Sequence, residues 1–413
     1  MPPERHPNAD VRMRGFAVRS PVDSVWRWLD QHLAPLPVER VPLDQAARRV
    51  LAESIAAPCD VPHFTRGMMD GYAVRTVDTQ GASSYQGLVL KVVGQALPGQ
   101  PFAGEVTPGT AVRIMTGAPL PVGADCVVPA EFTSALGDQI EVLEELTPGK
   151  HLGLPGEDVR QGETVLAAGR RLRPTDLGLL SSLGVNSLPV VRAPQVVVLI
   201  TGNEILPSGT PPTGPRIADA NGPMLAALVQ RDGGRLVSRR MIPDDPQQIS
   251  DALQSEADVI LVSGGSSVGQ EDHAPRLVAE AGELIFHGVA MRPSSPTGLG
   301  RIGNRLVFLL PGNPVSCLAA YDFFAGRAIR MLGGARAEWP YVCQSLPLTR
   351  KLTSPLGRTD YARVRRTGDG VEPLAISGAA ILSSVARADG FVVVPENSEG
   401  FAAGSLVDVF LYD

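Results

Sequence analysis

Acidic side chains recur where strands are predicted to end in the second half of the chain. Glu204, Asp244 and Asp272 each follow an apolar run that is typical of a buried strand. The carboxyl ends of parallel strands meet at one edge of a sheet, so we expect these acids, with Asp219, to face one crevice. Taken singly, each acid is more typical of a solvated surface. Several acids at one sheet edge favour a divalent cation, and their oxygen ligands suit Mg²⁺ better than zinc.

Two loops that are rich in glycine, serine or proline follow neighbouring predicted strands. They read SGGSSVG at 263–269 and LPGNPVS at 310–316. Glycine lets backbone N–H groups approach an anion closely, so the loops predict a phosphate-binding crevice. A plain tight turn explains the first loop equally well, and Asn313 as an N-cap before Pro314 explains the second without any ligand. Ser316 would place its hydroxyl in the first helical turn, where an oxyanion would bind.

Three arginines offer planar, forked donors for anionic oxygens, namely Arg292, Arg358 and Arg363. The six histidines are too scattered for a zinc site, and no arrangement of Ser, His and Asp indicates a catalytic triad. In the first half of the chain, MMDGYAV at 68–74 and RIMTGAP at 113–119 each combine an apolar run with a turn. A hairpin is the simpler interpretation of both, although apolar flanks are unusual for a turn that only faces water.

The composition limits the classes of protein that fit. The chain has 413 residues, 44% hydrophobic and 19% charged, which suits several packed cores and excludes a disordered chain. A formal net charge of −6 argues against a nucleic-acid partner. The four cysteines lack metal-ligand or redox spacing, no apolar signal segment is seen at the start, and no apolar run is long enough to span a bilayer. We therefore expect a cytoplasmic protein without a membrane partner, whose first 20 residues are polar and frayed.

The elements that would position these residues change in character along the chain. Between residues 194 and 333, predicted strands alternate with predicted helices, which favours an α/β domain with a mostly parallel, doubly wound sheet. Residues 58–149 and 338–413 contain short apolar runs between Pro and Gly, which are typical of β structure. Helical periodicity predicts two helical stripes within 21–55 and a helix at 175–183. The two stripes are Val25, Trp28, Leu29 and Leu33, and Leu43, Ala46, Ala47 and Val50.

Eight short motifs, in this order along the chain, are similar to those of one family. They are MMDGYAV (68–74), RIMTGAP (113–119), GADCVV (123–128), GED (156–158), TGNEI (201–205), SGGSSVG (263–269), LPGNPVS (310–316) and GRTDYAR (357–363). Together they resemble the molybdopterin molybdenumtransferase family, the MoeA type that is related to the E domain of gephyrin. Each motif alone is modest, but the eight in sequence are highly specific.

The resemblance implies a multidomain architecture of the α/β plus β class. A linking domain would be formed by residues 20–57 and 150–190, with a β-rich domain at 58–149 inserted in it. A central, doubly wound molybdopterin-binding α/β domain would span 191–335, and a C-terminal β-barrel would span 336–413.

The resemblance also implies an activity and partners. Members of this family take adenylylated molybdopterin and molybdate, insert the metal into the dithiolene with the help of Mg²⁺, and release AMP. They are homodimers, and the expected pathway partner is a molybdopterin adenylyltransferase. The inserted domain of one subunit would face the α/β domain of the other, which would bring Asp70 and Thr116 into the shared cleft.

Site roles are implied residue by residue where the motifs match. The residues that resemble catalytic groups are Asp70, Thr116, Asp158, Glu204, Asp244 and Asp272, and the last three also resemble metal ligands. The residues that resemble cofactor- or substrate-binding groups are Gly264, Gly265, Ser267, Gly269, Arg292, Pro311, Gly312, Asn313, Pro314, Ser316, Arg358, Arg363 and Ser383.

One segment departs from the family pattern where an anionic substrate would bind. The family usually reads K-V-A-M-[KR]-P-G-K-P where this chain reads GVAMRPSSP at 288–296, so Gly288 and Ser295 replace two lysines. The loss of two positive charges favours an alternative function, a divergent paralogue that binds or stores molybdopterin without efficient metal insertion. A scaffold role like that of the gephyrin E domain, or a pyrophosphatase or deamidase with the same α/β domain, fits the motifs less well.

Overall fold

The computed structural model describes residue 16 and residues 18–266, 272–375 and 378–412. Within these residues the chain forms two compact units, and each is described by itself. The smaller unit consists of Val41–Ala47 and Glu53–Leu188. The larger unit contains the chain up to Arg40, a short return at Arg48–Ala52 and everything from Pro189 onward. No helix in the described parts of the chain is long and apolar enough to cross a membrane.

The first part of the chain is mostly short strands. Its elements are α1 (Val22–His32), β1 (Val38–Pro42), β2 (Ile55–Ala56), β3 (Arg66–Gly67), β4 (Gly71–Val74), β5 (Leu88–Ala96), β6 (Thr110–Ile114), β7 (Cys126–Pro129), β8 (Thr133–Leu136), β9 (Gln139–Val142), β10 (Leu152–Gly153), β11 (Thr164–Leu166), α2 (Pro174–Ser182) and β12 (Ser187–Val191). The helices predicted near residues 22 and 175 are confirmed as α1 and α2. The second helical stripe predicted within 21–55 is wrong, because Leu43–Gln45 makes only one 3₁₀ turn after Pro42 and Arg48 has a positive φ of 65°.

The core of the smaller unit is a six-stranded sheet in the order β7-β4-β6-β5-β9-β8. Its strands present apolar side chains to two separate clusters, one containing Val74 and Val128 and the other containing Ala73 and Val127. Successive residues of a strand point to opposite faces, so both faces of this sheet are covered. Strand β4 runs antiparallel to β6 with Gly71 opposite Ile114, which brings the residues beyond these two ends close together.

The next part of the chain alternates strands and helices. Its elements are β13 (Gln195–Thr201), β14 (Ile205–Leu206), β15 (Ile217–Ala218), α3 (Asn221–Arg231), β16 (Arg235–Ile242), α4 (Pro246–Leu253), β17 (Val259–Ser263), α5 (Ala274–Ala281), β18 (Glu283–His287), β19 (Met291–Arg292), β20 (Gly298–Ile302), β21 (Arg305–Leu310), α6 (Pro314–Ala320) and α7 (Gly326–Leu332). A π-helical segment, Tyr321–Ala325, joins α6 to α7 without a break.

The predicted doubly wound sheet is confirmed. The strand order is β16-β13-β17-β21-β20-β18, and the first four strands are parallel. Along β13, Val196 and Val198 pack in a core cluster with residues of α1, α3, α6 and α7. Val197 and Leu199 pack in the opposite cluster with residues of α4 and α5. Helices therefore cover both faces, and the period-two alternation of β13 distributes its side chains between them.

Two antiparallel strands at one edge of this sheet, β18 and β20, are not predicted by the sequence. Strand β20 pairs antiparallel with β21, and β18 pairs antiparallel with β20. Gly298 and Gly300 interrupt the apolar pattern of β20, since the structure packs Leu309 and Val278 against the positions where their side chains would be. Because neighbours pack into the space beside these glycines, β20 has no regular hydrophobic periodicity from which a strand could be predicted.

The last part of the chain is a closed β-structure. Its elements are β22 (Val342–Pro347), β23 (Leu352–Thr353), β24 (Thr359–Thr367), β25 (Gly370–Ala375), α8 (Ser383–Ala386), β26 (Gly390–Val394), β27 (Gly400–Phe401) and β28 (Leu406–Leu411). The strands follow the order β22-β28-β26-β24, and β24 pairs further with β25 and, at its start, with β19 of the preceding part of the chain. A bridge between Leu348, just after β22, and Val371 joins β25 to the β22 end of this order. The enclosed cluster includes Val364, Val392 and Val409, as the predicted barrel requires.

A buried network of charges ties the helical layer to the segment before β22. Arg231 donates to Asp232 at 2.8 Å and to Asp322 at 2.9 Å, and Asp322 also accepts from the hydroxyl of Tyr341 at 3.0 Å. Arg330 pairs with Asp232 at 2.9 Å. Because buried charges are costly unless they are paired, this arrangement favours one specific packing of these elements.

The prediction of a frayed N-terminus is wrong for Arg19 and Ser20. The N–H of Ser20 donates to the carbonyl of Gly288 at 2.9 Å, and the carbonyl of Ser20 accepts from the N–H of Ala290 at 2.8 Å. Ser20 thus forms a parallel β-bridge with Val289. Backbone hydrogen bonds hold these polar residues in place, and hydropathy does not reveal such bonds.

Candidate functional site

A cavity of about 540 Å³ lies beyond the carboxyl ends of β13, β17 and β21 in the larger unit. This is the edge at which parallel sheets of this type hold ligands. The structure brings together many of the residues predicted for the site. Those that line the cavity are Glu204, Asp244, Asp272, Gly264, Gly265, Pro311, Gly312, Asn313 and Pro314.

Gly264 allows the end of β17 to lie against the end of β13. Its φ is +103°, and a Cβ at this position would lie 2.3 Å from the carbonyl oxygen of Thr201. Its N–H donates to the carbonyl of Leu310 at 3.1 Å, which connects it to the end of β21 as well. No side chain could be added at Gly264 without moving this backbone, so glycine is required by the close approach of three strand ends.

Asn221, at the start of α3, bridges the two loops. Its Nδ2 donates to the Oγ of Ser263 at 2.9 Å and to the carbonyl of Gly312 at 2.7 Å. The carbonyl can only accept, which fixes the orientation of the amide and leaves Oδ1 buried without a hydrogen-bond partner among the residues that the structure describes. The hydroxyl oxygen of Thr201 is likewise buried without a partner, and both residues line the cavity. Buried polar atoms without partners are rare, and here they offer unused hydrogen-bonding capacity in the cavity wall.

Sequence reasoning missed Asn221 because an Asn before a helix is a common helix-start residue. A specific signal was its distance of only two residues from Asp219, which was expected to face the same crevice. Asp219 lines the cavity as expected, and it is largely buried and accepts the N–H of Gly222 at 2.7 Å through Oδ1. Asp219 therefore stabilises the start of α3, whose first residue is Asn221.

The carboxylates of the cavity differ in how firmly they are held. Asp244 and Asn203 exchange hydrogen bonds, since each backbone N–H donates to the other side chain at 3.1 and 3.3 Å. Glu204 is exposed and Asp272 is half-buried. Within the described residues, no three His, Cys, Asp or Glu side chains converge closely enough to hold a metal ion by themselves. Oxygen donors at one cavity still suit Mg²⁺, which usually keeps several waters and binds substrate phosphate as well as protein.

Two residues predicted to bind substrate are engaged elsewhere. Arg292 donates through Nε to Asp360 at 3.0 Å, and a second nitrogen of Arg292 also reaches this carboxylate. The hydroxyl of Ser354 donates to the same carboxylate at 2.7 Å. Ser316 lies in the first turn of α6, but it is buried and its carbonyl accepts from the hydroxyl of Ser294. Neither Arg292 nor Ser316 lines the cavity.

Three further predicted residues belong to the C-terminal part of the larger unit and do not line the cavity. Arg363 is fully buried in β24, and this burial lowers the pKa of its guanidinium. Arg358 is half-buried just before β24, and Ser383 is exposed at the first residue of α8. Ser267 and Gly269 lie outside the described residues. Roles for all five of these residues stay predictions.

The smaller unit holds the remaining predicted site residues. Asp70 precedes β4 and Thr116 follows β6, and Oδ1 of Asp70 accepts both the N–H and the hydroxyl of Thr116 at 2.7 Å each. The bond from the backbone N–H, followed by the bond from the hydroxyl, lowers the pKa of Asp70 below that of a free aspartate. Asp158 is exposed, and its N–H donates to the carbonyl of Val61 at 3.0 Å. The paired Asp70 and Thr116 thus present an exposed, ionised carboxylate.

Comparison with known families accounts for most of the chain. Residues 12–184 match the MoeA N-terminal region, described as its domains I and II. Residues 197–330 match a probable molybdopterin binding domain, and residues 345–412 match the MoeA C-terminal region, domain IV. The three matches follow one another in the order in which the motifs were found.

Known proteins resemble this chain over nearly its full length. It is 37% identical to molybdopterin molybdenumtransferase 2 of Mycobacterium tuberculosis over 386 residues, covering 90% of this chain and 94% of the relative. It is 31% identical to the molybdopterin molybdenumtransferase of Staphylococcus aureus over 405 residues, covering 95% and 96%. The crystal structure of a molybdopterin biosynthesis MoeA protein from Pyrococcus horikoshii superposes with a TM-score of 0.80 at 32% identity, covering 96% of this chain and all of that one. The predicted family and multidomain fold are confirmed, and the chain belongs to the MoeA family of molybdopterin molybdenumtransferases.

Proposed function

We propose that this protein inserts molybdenum into molybdopterin in the biosynthesis of the molybdenum cofactor. The substrates are molybdate and adenylylated molybdopterin. Two sulfur–molybdenum bonds form at the dithiolene while molybdate loses one oxide, which leaves as water with two protons from the thiols or the solvent. A water molecule cleaves the phosphoanhydride bond, so that AMP leaves. The observation that carries this proposal is the cavity at the strand ends, which combines two glycine loops with carboxylates in a chain of this family.

The cavity suits a phosphorylated, polar ligand of moderate size. Its volume of about 540 Å³ is within the range of small-molecule sites. The backbone turn at Gly312, where a Cβ would meet only the Cα of Gly264 at 3.6 Å, leaves room for a phosphate to approach N–H groups. Oδ1 of Asn221 and the hydroxyl of Thr201 would then bond to donor groups of the ligand, such as ring amino or ribose hydroxyl groups.

Mg²⁺ is part of the proposal. Glu204, Asp244 and Asp272 would hold the ion together with phosphate oxygens of the substrate and water. When bound, the ion would neutralise charge on the phosphoanhydride oxygens. The protein's own contribution is to keep these carboxylates at one side of the cavity, and the mutual hydrogen bonds of Asp244 and Asn203 serve that purpose.

We also propose a homodimer in which Asp70 and Thr116 of one subunit complete the cavity of another. The surface around Asp70 supports this, because Met68 and Met69, which directly precede Asp70, are 49% and 36% exposed. Neighbouring exposed apolar side chains are a feature of surfaces that a partner covers. The same proposal includes a cytoplasmic location and a molybdopterin adenylyltransferase that supplies the substrate. It also divides the chain into four domains, at 20–57 with 150–190, 58–149, 191–335 and 336–413.

The proposal is tested by incubating the protein with adenylylated molybdopterin, Mg²⁺ and molybdate and following AMP release. We expect release that depends on both Mg²⁺ and molybdate, and a variant Gly264→Val that releases none because the added side chain would collide with Thr201. Absence of AMP release at high molybdate, with molybdopterin still bound, would instead support the alternative of a binding or storage paralogue.

A further inference from the structure

The cavity described above has an unbalanced charge for a site that would take anions. Among its described lining residues are the carboxylates of Glu204, Asp219, Asp244 and Asp272, and none of the lining residues is Arg or Lys. Placing an oxyanion beside carboxylates is unfavourable unless a cation is near. Besides the proposed Mg²⁺, a positive side chain at the rim would offset this charge, and it has to come from residues other than those of the described wall.

One rim loop, residues 287–297, reaches the cavity through Pro296. Its own arginine, Arg292, is neutralised by Asp360 as described above. The neighbouring Ser295 is instead contacted by a residue from the far N-terminal part of the chain, because Nε of Arg19 donates to its Oγ at 2.7 Å. The guanidinium of Arg19 is thus bonded to the residue that directly precedes Pro296 of the cavity wall.

The backbone fixes Arg19 at this position. The two hydrogen bonds and the β-bridge that Ser20 makes with Gly288, Val289 and Ala290 add the N-terminal segment to the loop as an extra extended strand. Since Ser20 follows Arg19 directly, the position of the arginine on the loop is set by main-chain pairing and not by its flexible side chain alone.

Phe16 supports the same arrangement and explains Gly288. The ring of Phe16 packs edge-on against His287 with centroids 4.9 Å apart, and the guanidinium of Arg19 lies 5.9 Å from the Phe16 centroid. Gly288 has a φ of +89°, and a Cβ there would lie 2.4 Å from the Phe16 ring. A lysine at position 288 would collide with Phe16 in this position. The absence of that lysine therefore accompanies the docking of the N-terminal segment that carries Arg19.

Arg19 also retains capacity to bind. Within the described residues it has no carboxylate partner, and its terminal guanidinium nitrogens make no hydrogen bond. Two forked donors remain for the oxygens of an anion. This separates Arg19 from Arg292, whose fork is occupied by Asp360.

We propose that Arg19 is an oxyanion-binding residue of this site and supplies, from the N-terminal segment, positive charge that the loop at 288–296 itself lacks. The ligand is an oxyanion, either molybdate or a phosphate of adenylylated molybdopterin. The inference rests on the proposed function for the identity of these ligands, but not for the binding of an anion. Arg19 would thus replace one of the two positive charges that are absent at Gly288 and Ser295.

The test uses the full-length protein and four variants. Arg19→Gln removes the charge but can still donate to Ser295, Arg19→Lys keeps the charge, and Arg19→Gln with Ser295→Lys returns the charge from the loop itself. Arg235→Ala is the matched control, since Arg235 is exposed at the amino end of β16, away from the cavity. Binding of molybdate alone and of AMP alone is measured by calorimetry, and KM is determined for each substrate.

We expect Arg19→Gln to weaken binding of one of the two probes by about tenfold, which corresponds to the loss of one charge-assisted contact that is partly screened. The probe that is affected identifies the ligand. The difference should shrink at high salt, and both Arg19→Lys and the double variant should recover most of the affinity. Thermal unfolding of all variants establishes that the fold is retained.

Several results would overturn the inference. One is an Arg19→Gln protein that binds both probes as the Arg235→Ala control does. Another is weaker binding that neither lysine variant recovers, since that would indicate a role in packing and not in charge. A protein that binds oxyanions through Arg19 but releases no AMP would contradict the proposed function and leave the inference intact.

Discussion

Asp70 and Thr116 are 46 residues apart in sequence and are joined through one carboxylate oxygen, which accepts two hydrogen bonds of 2.7 Å. The antiparallel pairing of β4 with β6 makes this contact possible, because Gly71 lies opposite Ile114 at the ends of the two strands. The two short donors keep Asp70 ionised at pH values where a free aspartate begins to protonate. This contact therefore holds the ionised carboxylate of Asp70 in one position at the protein surface.

Replacing Asp70 by Asn should separate this charge from the hydrogen bonds. The amide oxygen can still accept both bonds from Thr116, so the thermal unfolding midpoint should stay close to that of the parent. AMP release should fall by about tenfold or more, since the proposed role requires a carboxylate. Thr116→Val should keep the carboxylate but remove the hydroxyl that donates to it. The pKa of Asp70 should then rise toward its ordinary value in a carboxyl NMR titration. Equal activity of Asp70→Asn and the parent would contradict a role for the charge.

Asp272→Asn should impair turnover more than substrate binding. The side chain lines the cavity, and the proposed Mg²⁺ depends on carboxylate oxygens there, whereas the glycine turns that would hold the phosphate are unchanged. We expect kcat to fall by about a hundredfold, with the affinity for adenylylated molybdopterin altered by less than about threefold. The dependence of the rate on Mg²⁺ concentration should move to higher values. Parallel losses of binding and rate would argue against this assignment.

Asn221 should be essential for the relative position of the two loops. Asn221→Ala leaves the carbonyl of Gly312 and the hydroxyl of Ser263 without their shared donor, a loss of about 1–3 kcal/mol for buried groups. Asn221→Asp should be worse, because it also lacks the donor and places a carboxylate oxygen against the Gly312 carbonyl, which repels it. Chemical unfolding and the KM for adenylylated molybdopterin should both change. The exposed Asn397→Ala serves as the control and should leave both unaltered.

The main sheet could be predicted because its strands are nearly uniform apolar runs. Val196 to Ile200 and Val259 to Val262 are buried throughout, as parallel strands covered on both faces require. The edge strands β18 and β20 were not predicted, because side chains of neighbouring residues pack against the glycines of β20 and these glycines interrupt its apolar pattern. Which strands pair antiparallel at an edge depends on tertiary contacts that no local pattern records.

The site was predicted in part for the same reason. Glycines and acids at strand ends lie together because topology brings strand ends together, and Gly264, Gly312 and Asp244 were found in this way. Partners of long side chains could not be predicted, since a spacing does not show that Arg292 would reach Asp360. The hydrogen bond from Arg19 to Ser295 could likewise not be predicted, because 276 residues separate the two in sequence.

Asp176 should make the stability of the smaller unit depend on pH. Its carboxylate accepts from Nε and Nη2 of Arg170 at 2.9 Å each and from the N–H of Arg173 at 2.9 Å. The bonds from Arg170, above all, hold the pKa of Asp176 well below its usual range. A lowered pKa adds stability above the ordinary carboxyl pKa of about 3.9, and this stability is lost as the pH falls through the lowered value.

Urea unfolding of Asp176→Asn should therefore show a loss of about 2–3 kcal/mol near neutral pH. The difference from the parent should shrink progressively below about pH 4, as the parent's own carboxylate becomes protonated. Asp138→Asn changes an exposed aspartate and should match the parent at every pH. A deficit for Asp176→Asn that stays constant into the acid range would contradict the linkage.

The position of α1 has a consequence for how the chain folds during synthesis. Val25 and Leu29 of α1 are buried in a cluster with Phe323, and the Nε1 of Trp26 donates to the carbonyl of Phe323 at 2.8 Å. The helix is made early, yet these partners leave the ribosome about 300 residues later, after the whole of the smaller unit. During that interval its apolar face has no native surface to cover. The nascent chain should thus expose a hydrophobic helix of the kind that chaperones bind, and release should coincide with the completion of α7.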